Sequence, residues 1–344
     1  MQGPIVVPLD GSSLAEHALS LGIALARRAR QPLHLVRVHL GLAEGEYPSL
    51  EDVHEALRAE EREYLARIAQ RVEGKLDVPV HMALLEAPVA ASIEAYARSH
   101  RTGVIVMTTH GRSGLSRLWM GSVVDALVRL EGIPVLAIRP DEGSPDLSRV
   151  HAFRHILVPL DGSIHAESVL PHATAVAGLR DVRYTLVQVV RATLAPMANP
   201  GQWPPTSVMP AGALVGQLAA RAEAYLRGVA DRLRAAGVQD VRTMVAVDDH
   251  PAAALLRCIA TYKADLVAMS THGRGMSRLV VGSVADKVLR AAGRPVLLIR
   301  PPTEAKSRTR SARGRASAED RTPALLAPDP SAVVRPLSRA ARGR

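Results

Sequence analysis

An aspartate follows a short aliphatic run twice in this chain: IVVPL ends on Asp10 and ILVPL on Asp161. At the carboxyl end of a buried strand, a carboxylate can accept hydrogen bonds from a ligand amino group such as that of adenine. It can equally cap the helix that follows, and position alone weights the two readings evenly. A second constellation also occurs twice, THGRSGLSRLWMGS from Thr109 and THGRGMSRLVVGS from Thr271. Glycines let backbone approach a phosphate and turn several N–H groups towards it. Gly121 and Ser122, matched by Gly282 and Ser283, open an apolar run that reads as a helix, whose N-terminus favours an anion. The serine adds a hydroxyl donor. Arg112 and Arg117 could neutralise charge, although exposed loop arginines usually do nothing specific, and glycines of this kind also serve plain tight turns.

Several chemistries lack their residues. There is no GxxxxGK[ST] phosphate loop, no GxGxxG after the first strand and no GxSxG elbow. His110 and His272 are candidate general bases without a convincing nucleophile, and a turn-stabilising role fits them better. The lysines are Lys75, Lys263, Lys287 and Lys306, so a phosphate-binding side chain is expected to be arginine. Cys258 is the single cysteine; it lies in the apolar run Ala252 to Ala260 and reads as a small buried hydrophobe. The 13 histidines form no zinc-binding pattern, and no metal site is expected from them.

The elements that must position these residues are themselves duplicated. Ile5 to Ser12 returns as Ile156 to Ser163, Met107 to Val128 as Met269 to Leu289, and Ile133 to Pro140 as Arg294 to Pro301. Three blocks in the same order mark a duplicated unit of common domain size. The expected organisation is a first domain over 1–140, a linker over 141–153, a second domain over 154–301 and a disordered basic tail over 302–344. The Pro-rich stretch Ala195 to Gly212 lengthens one loop of the second copy. In the first copy Ile5–Leu9, Leu33–Val38, Val80–Leu84, Val104–Met107 and Val135–Ile138 read as strands. A helix between the second and third presents a core stripe at Leu50, Val53, Leu57, Tyr64, Ile68 and Val72, with Val215, Leu218, Ala222, Tyr225, Val229 and Leu233 as its counterpart. Ser13 and Glu16 are read as a capping box that the second copy, with Ser163 and Glu167 four apart, does not repeat. Strands alternating with helices imply an α/β fold: two tandem doubly wound parallel sheets with ligands at the carboxyl ends of the strands.

Composition agrees with such cores. Apolar residues make up 47% and aromatics 3%, so aliphatic side chains must fill them, as in parallel sheets buried on both faces. The net charge of +10 is uneven: from Pro301 onward ten Lys/Arg oppose four Asp/Glu, leaving +4 for the rest. That local excess argues for a solvated tail that binds polyanions weakly, not for specific nucleic-acid recognition. The beginning MQGPIVVPLD has neither a basic region nor a long apolar stretch, and no membrane span follows, so the expected location is cytoplasmic.

The VPLDGS start, the M-x-T-H-G-R loop, the following GSV and the closing PVL-x-IRP strand together resemble the universal stress protein family, in both copies and in order. The resemblance implies five strands per sheet in the order 3-2-1-4-5, an adenine-nucleotide α-hydrolase-like arrangement, and an ATP-binding stress-response module without efficient turnover, ATP arriving with or without Mg2+. A ligand-free member acting through protein partners and a slow ATPase are the alternatives. It also implies an internal pseudo-dimer through the strands at Val135–Ile138 and Val296–Ile299, with further homo-oligomers open. Carried over residue by residue, Pro8, Asp10 and Val38 border adenine in the first copy, with Met107, Thr108, Gly111, Gly121 and Ser122 on the phosphate side. The second copy offers Pro159, Asp161 and Val189, with Met269, Ser270, Gly273, Gly282 and Ser283. The family pattern is glycine, two residues, glycine, nine residues, then Gly-Ser or Gly-Thr. Thr108 replaces its first glycine; a β-branched residue resists unusual backbone angles and points a methyl at the ligand. In the second copy Ser270 replaces it, and the interval before Gly282 is one residue short.

Overall fold

The computed structural model describes residues 1–41, 51–109, 121–140, 143–149, 151–191, 211–271 and 281–301, without the side chains of 51, 52 and 211. It falls into two units, Met1–His151, with which Arg300 groups, and Ala152–Ile299. The Pro-rich stretch preceding residue 211, the loop residues His110, Gly111, Arg112, Arg117, His272 and Gly273, and the basic tail lie outside the described residues.

The first unit runs β1 (Ile5–Pro8), α1 (Ser13–Glu16), α2 (Ala18–Ala29), β2 (Leu33–His39), α3 (Glu51–Glu73), β3 (Val80–Glu86), α4 (Val89–Ser99), β4 (Val104–Thr108), α5 (Ser122–Leu127) and β5 (Val135–Ile138). The second repeats it as β6 (His155–Pro159), α6 (Ile164–Glu167), α7 (Leu170–Ala177), β7 (Arg183–Val190), α8 (Ala211–Ala235), β8 (Asp240–Val247), α9 (Pro251–Thr261), β9 (Leu266–Ser270), α10 (Ser283–Ala291) and β10 (Val296–Ile299). Each unit's strands run β3-β2-β1-β4-β5 and β8-β7-β6-β9-β10, all pairs within a unit parallel. That is the expected 3-2-1-4-5 order, built twice. The strands are aliphatic because they are covered on both faces: Ile5, Val6 and Val7 are fully buried, as are Ile156, Leu157 and Val158. Gly22 lets α2 settle on β1, since a Cβ there would meet the Val7 side chain at 2.7 Å.

Two local expectations are corrected. The cap of α1 is Ser12, whose side chain accepts from the Ala15 amide; Ser13 is already helical. The second copy does the same, with Ser163 accepting from Ala166, so the copies share one cap. The true partners of Glu16 and Glu167 are on other helices, not at a cap. The stripe of α3 is also shorter than its spacing implies. Ile68 and Val72 are buried, but Val53 and Leu57 are 44% and 37% exposed. A helix of 23 residues overreaches a seven-residue strand, so its first turns project past the sheet. Leu50 lies outside the described residues.

Candidate functional site

The ladder between β1 and β4 joins Ile5 to Val104 and Val6 to Ile105, then ends. That between β6 and β9 joins Ile156 to Leu266 and Leu157 to Val267, then ends. Each break lies where the strand order reverses, the place at which open α/β sheets take ligands. Asp10 and Thr109 each follow five residues after the first pair, past the carboxyl ends of adjacent parallel strands; Asp161 and Thr271 do likewise. Strand order and direction therefore bring the candidate residues of each copy to one edge of its sheet.

On one side of this edge is the DGS turn. Gly11 and Gly162 have φ of 86° and 84°, left-handed backbone that suits glycine. The turn folds Ser12 back, so that Asp10 Oδ1 accepts from its amide at 2.9 Å and its hydroxyl at 2.6 Å, while Ser12 Oγ accepts from Ala15 at 3.2 Å. The second copy gives 3.0, 2.6 and 3.1 Å for the same bonds of Asp161, Ser163 and Ala166. The aspartate is thus not the cap itself: it braces the cap with one oxygen. Pro8, Asp10, Val38, Pro159, Asp161 and Val189 are all half-buried, as residues lining an edge must be.

Behind each aspartate stands a tyrosine that sequence reasoning assigned only to packing. Tyr64 is held well above the usual phenol range, first by burial, then by Glu16, with Asp10 adding to the effect and Arg37 opposing it. Tyr225 is raised by burial, Glu167 and Asp161 in the same way. Glu16 accepts from Tyr64 at 3.3 Å and from Arg71 at 2.8 Å; Arg232 reaches Glu167 at 2.5 Å. The available signal was the Tyr-x6-Arg spacing common to both long helices.

On the other side, Met107, Thr108, Met269 and Ser270 are buried at the ends of β4 and β9. Thr108 is registered with Ile138 as an ordinary strand residue, and its φ is not positive. The backbone half of the objection to a β-branched residue here does not apply. Thr109 bridges strand and helix: its amide donates to Ile138 at 2.8 Å and its carbonyl accepts from Gly121 at 2.9 Å. Thr271 does so with Ile299 and Gly282 at 2.9 and 2.8 Å. Neither threonine stood out in the sequence.

Gly121 and Gly282 are the N-caps of α5 and α10, and neither helix has a side-chain cap. The first-turn amides are therefore not taken by a capping side chain, and Ser122 and Ser283 are exposed beside them. Asp125 and Asp286 lie in those turns but pair with Arg129 at 2.6 Å and Arg290 at 2.9 Å. The arrangement offers a carboxylate on one side of the edge and amide and hydroxyl donors on the other, which suits a ligand with an amino-bearing base and an anionic end. Among the described residues no group of three His, Cys, Asp or Glu side chains could hold a metal ion, and no helix is long and apolar enough to cross a membrane.

The family model described as "Universal stress protein family" matches residues 1–139 and 152–300. A universal stress protein of Mycobacterium tuberculosis (strain ATCC 25618 / H37Rv) is 33% identical over 243 residues, 69% of this chain and 73% of that one. One from Methanocaldococcus jannaschii is 31% identical over 141 residues, 39% of this chain and 81% of its own length. The crystal structure of a universal stress protein from Archaeoglobus fulgidus DSM 4304 superposes with a TM-score of 0.60 at 18% identity, covering 88% of this chain and 97% of that one, a likeness of fold.

Proposed function

Because the chain belongs to the universal stress protein family, with one family domain over 1–139 and another over 152–300, we propose that it is a cytoplasmic adenine-nucleotide-binding module of the stress response that turns its ligand over slowly or not at all. The observation that carries this is the placing of Asp10 with Thr109, and of Asp161 with Thr271, past the carboxyl ends of adjacent strands at the point where the strand order reverses, each threonine bonded to a helix start without a side-chain cap. In this reading the adenine amino group lies at Asp10 or Asp161, lined by Pro8 and Val38 or Pro159 and Val189. The phosphates lie at the first-turn amides and hydroxyls of Ser122 or Ser283, reached past Met107 and Thr108 or Met269 and Ser270, with Gly111 and Gly273 in the intervening loops. ATP is the nucleotide of choice, with or without Mg2+.

A ligand-free member acting through protein partners is the second reading, favoured by the side chains of Thr108 and Ser270, where the family pattern has glycine. Mass spectrometry of small molecules released from the purified, denatured protein, followed by calorimetric titration with ATP, separates the two. Released adenine nucleotide and saturable binding support the first; no nucleotide and no heat of binding support the second. Multiple-turnover hydrolysis at an ordinary enzymatic rate would overturn both in favour of an ATPase.

A further inference from the structure

His34 on β2 and His81 on β3 are registered partners, and their rings stand 4.9 Å apart. α4 adds Tyr96, whose hydroxyl is 2.8 Å from His34 Nδ1, and its C-cap His100, whose ring is 5.4 Å from that of His34 and stacks on Tyr96 at 4.0 Å. Three imidazoles and a phenol thus share one corner of the first unit, near the amino ends of the strands and away from the candidate site. His34 is 7% exposed. The Nδ1 atom of His81 is buried with no hydrogen-bond partner, so a proton placed there would be a buried donor without an acceptor. His100 Nδ1 faces the Tyr96 carbonyl at 2.9 Å and the Ser99 hydroxyl at 3.0 Å. Among the described residues no carboxylate is bonded to any of the three rings, and no lysine or arginine either. A charge on one imidazole would therefore have no bonded counter-charge among the described residues, only neutral partners and the other two rings.

The second copy is built differently at the same places. Strand register puts Thr185 where the first copy has His34, and Arg242 where it has His81. The matching helices α4 and α9 put Cys258 opposite Tyr96 and the C-cap Tyr262 opposite His100. One histidine, His155, is nearby, a single ring bonded to Thr185 at 2.8 Å; burial lowers it, as Arg183 and Arg242 do, while a backbone bond with Tyr262 and the Asp265 carboxylate oppose the shift.

We propose that the His34–His81–His100 cluster is an acid-sensing device that loosens the β2–β3–α4 corner of the first copy as pH falls, while the second copy, with one ring in place of three, responds less. An unfolded histidine takes up its proton near pH 6.5. In the fold, burial and then the neighbouring His81 and His100 hold His34 down to about 4, and burial lowers His81 as well. The open state binds these protons first, so the closed corner is fully favoured above pH 6.5 and is penalised progressively between there and about 4. Because β2 also carries Val38, loosening this strand reaches the candidate site without any ligand being needed for the response.

Hydrogen exchange of the full chain at pH 7.5 and 5.0, corrected for the intrinsic rate, tests the device. Peptides covering β2, β3 and α4 are expected to lose protection by roughly tenfold or more, and those of β7, β8 and α9 by less than about threefold. An equal loss in both copies, or none in the first, overturns the proposal. His34→Gln keeps a partner for Tyr96 but does not titrate, and is expected to flatten the response; an undiminished loss in that variant also overturns it. Should His34→Gln fail to fold, the half-exposed His100→Gln serves: a smaller loss supports the device and an unchanged one overturns it.

Discussion

The amide of Gly282 donates to the carbonyl of Thr271 at 2.8 Å, and a Cβ on Gly282 would stand 2.8 Å from that same oxygen. Gly282 has φ −56° and ψ 142°, angles open to any residue, so the glycine is required by close approach and not by backbone conformation. At Gly121 the corresponding gap to the Thr109 carbonyl is 3.2 Å. Gly282→Ala should destabilise the second copy by about 1–3 kcal/mol, as overpacking does, and Gly121→Ala should cost the first copy less than about 1 kcal/mol. Thermal unfolding of the two variants checks the order. A larger β-branched replacement at either position would disturb the fold and the proposed anion site together, so it is a poor probe of nucleotide binding.

The cap correction carries its own test. Ser12→Ala and Ser163→Ala each remove an acceptor for a first-turn amide and release the aspartate behind it, so each should cost about 0.5–2 kcal/mol. Ser13→Ala, at an exposed helical position, should fall within about 0.5 kcal/mol of the parent. If Ser13→Ala proves the costlier, the capping box read from the sequence is right after all.

Aspartate function separates from aspartate structure through its amide. Asp10→Asn and Asp161→Asn keep an oxygen for the serine amide and hydroxyl but lose the charge. The protein should remain folded while ATP affinity at the altered copy falls by about 1.5–3 kcal/mol, the range for a lost charged hydrogen bond. Calorimetry of each variant also shows which copy binds. Ser122→Ala and Ser283→Ala should weaken binding by about 1 kcal/mol at their own copy.

Tyr64 donates to Glu16, which also holds Arg71, so this half-buried contact ties α3 to α1 beside Asp10. Tyr64→Phe should cost about 0.5–1.5 kcal/mol of stability and leave the far-ultraviolet dichroism unchanged. Glu16→Ala should cost more, since it leaves the phenol and the guanidinium without their common partner. Equilibrium urea unfolding reads both.

Removing residues 302–344 should leave the thermal midpoint unchanged, because no apolar periodicity there supplies a face for packing. Binding of the full chain to a polyanion such as heparin should be weak and should fall steeply with salt. The truncated chain should lose that binding while keeping its affinity for ATP.

The sequence by itself determined the architecture. Repetition of VPLDGS and of the GSV helix start revealed two copies, and aliphatic runs such as Ile5–Leu9 and Val135–Ile138 marked strands covered on both faces. Those signals are local: side-chain type and spacing along one element state which faces are buried. Asp10 and Gly121 were legible as candidate site residues for the same reason, each lying at the end of an element whose direction was already known. What only the tertiary structure decided depends on neighbours from elsewhere in the chain. Ser12, not Ser13, became the cap because Gly11 turns it back onto Asp10. Val53 and Leu57, in helical phase with the core, came to lie exposed because the sheet beneath them ends first. Thr109 and Tyr64 gained their places from strand register and helix packing, and His34 met His81 and His100 only when β2, β3 and α4 closed together. Periodicity sets the face of an element, whereas contact between elements depends on how far each extends and where its partner stops.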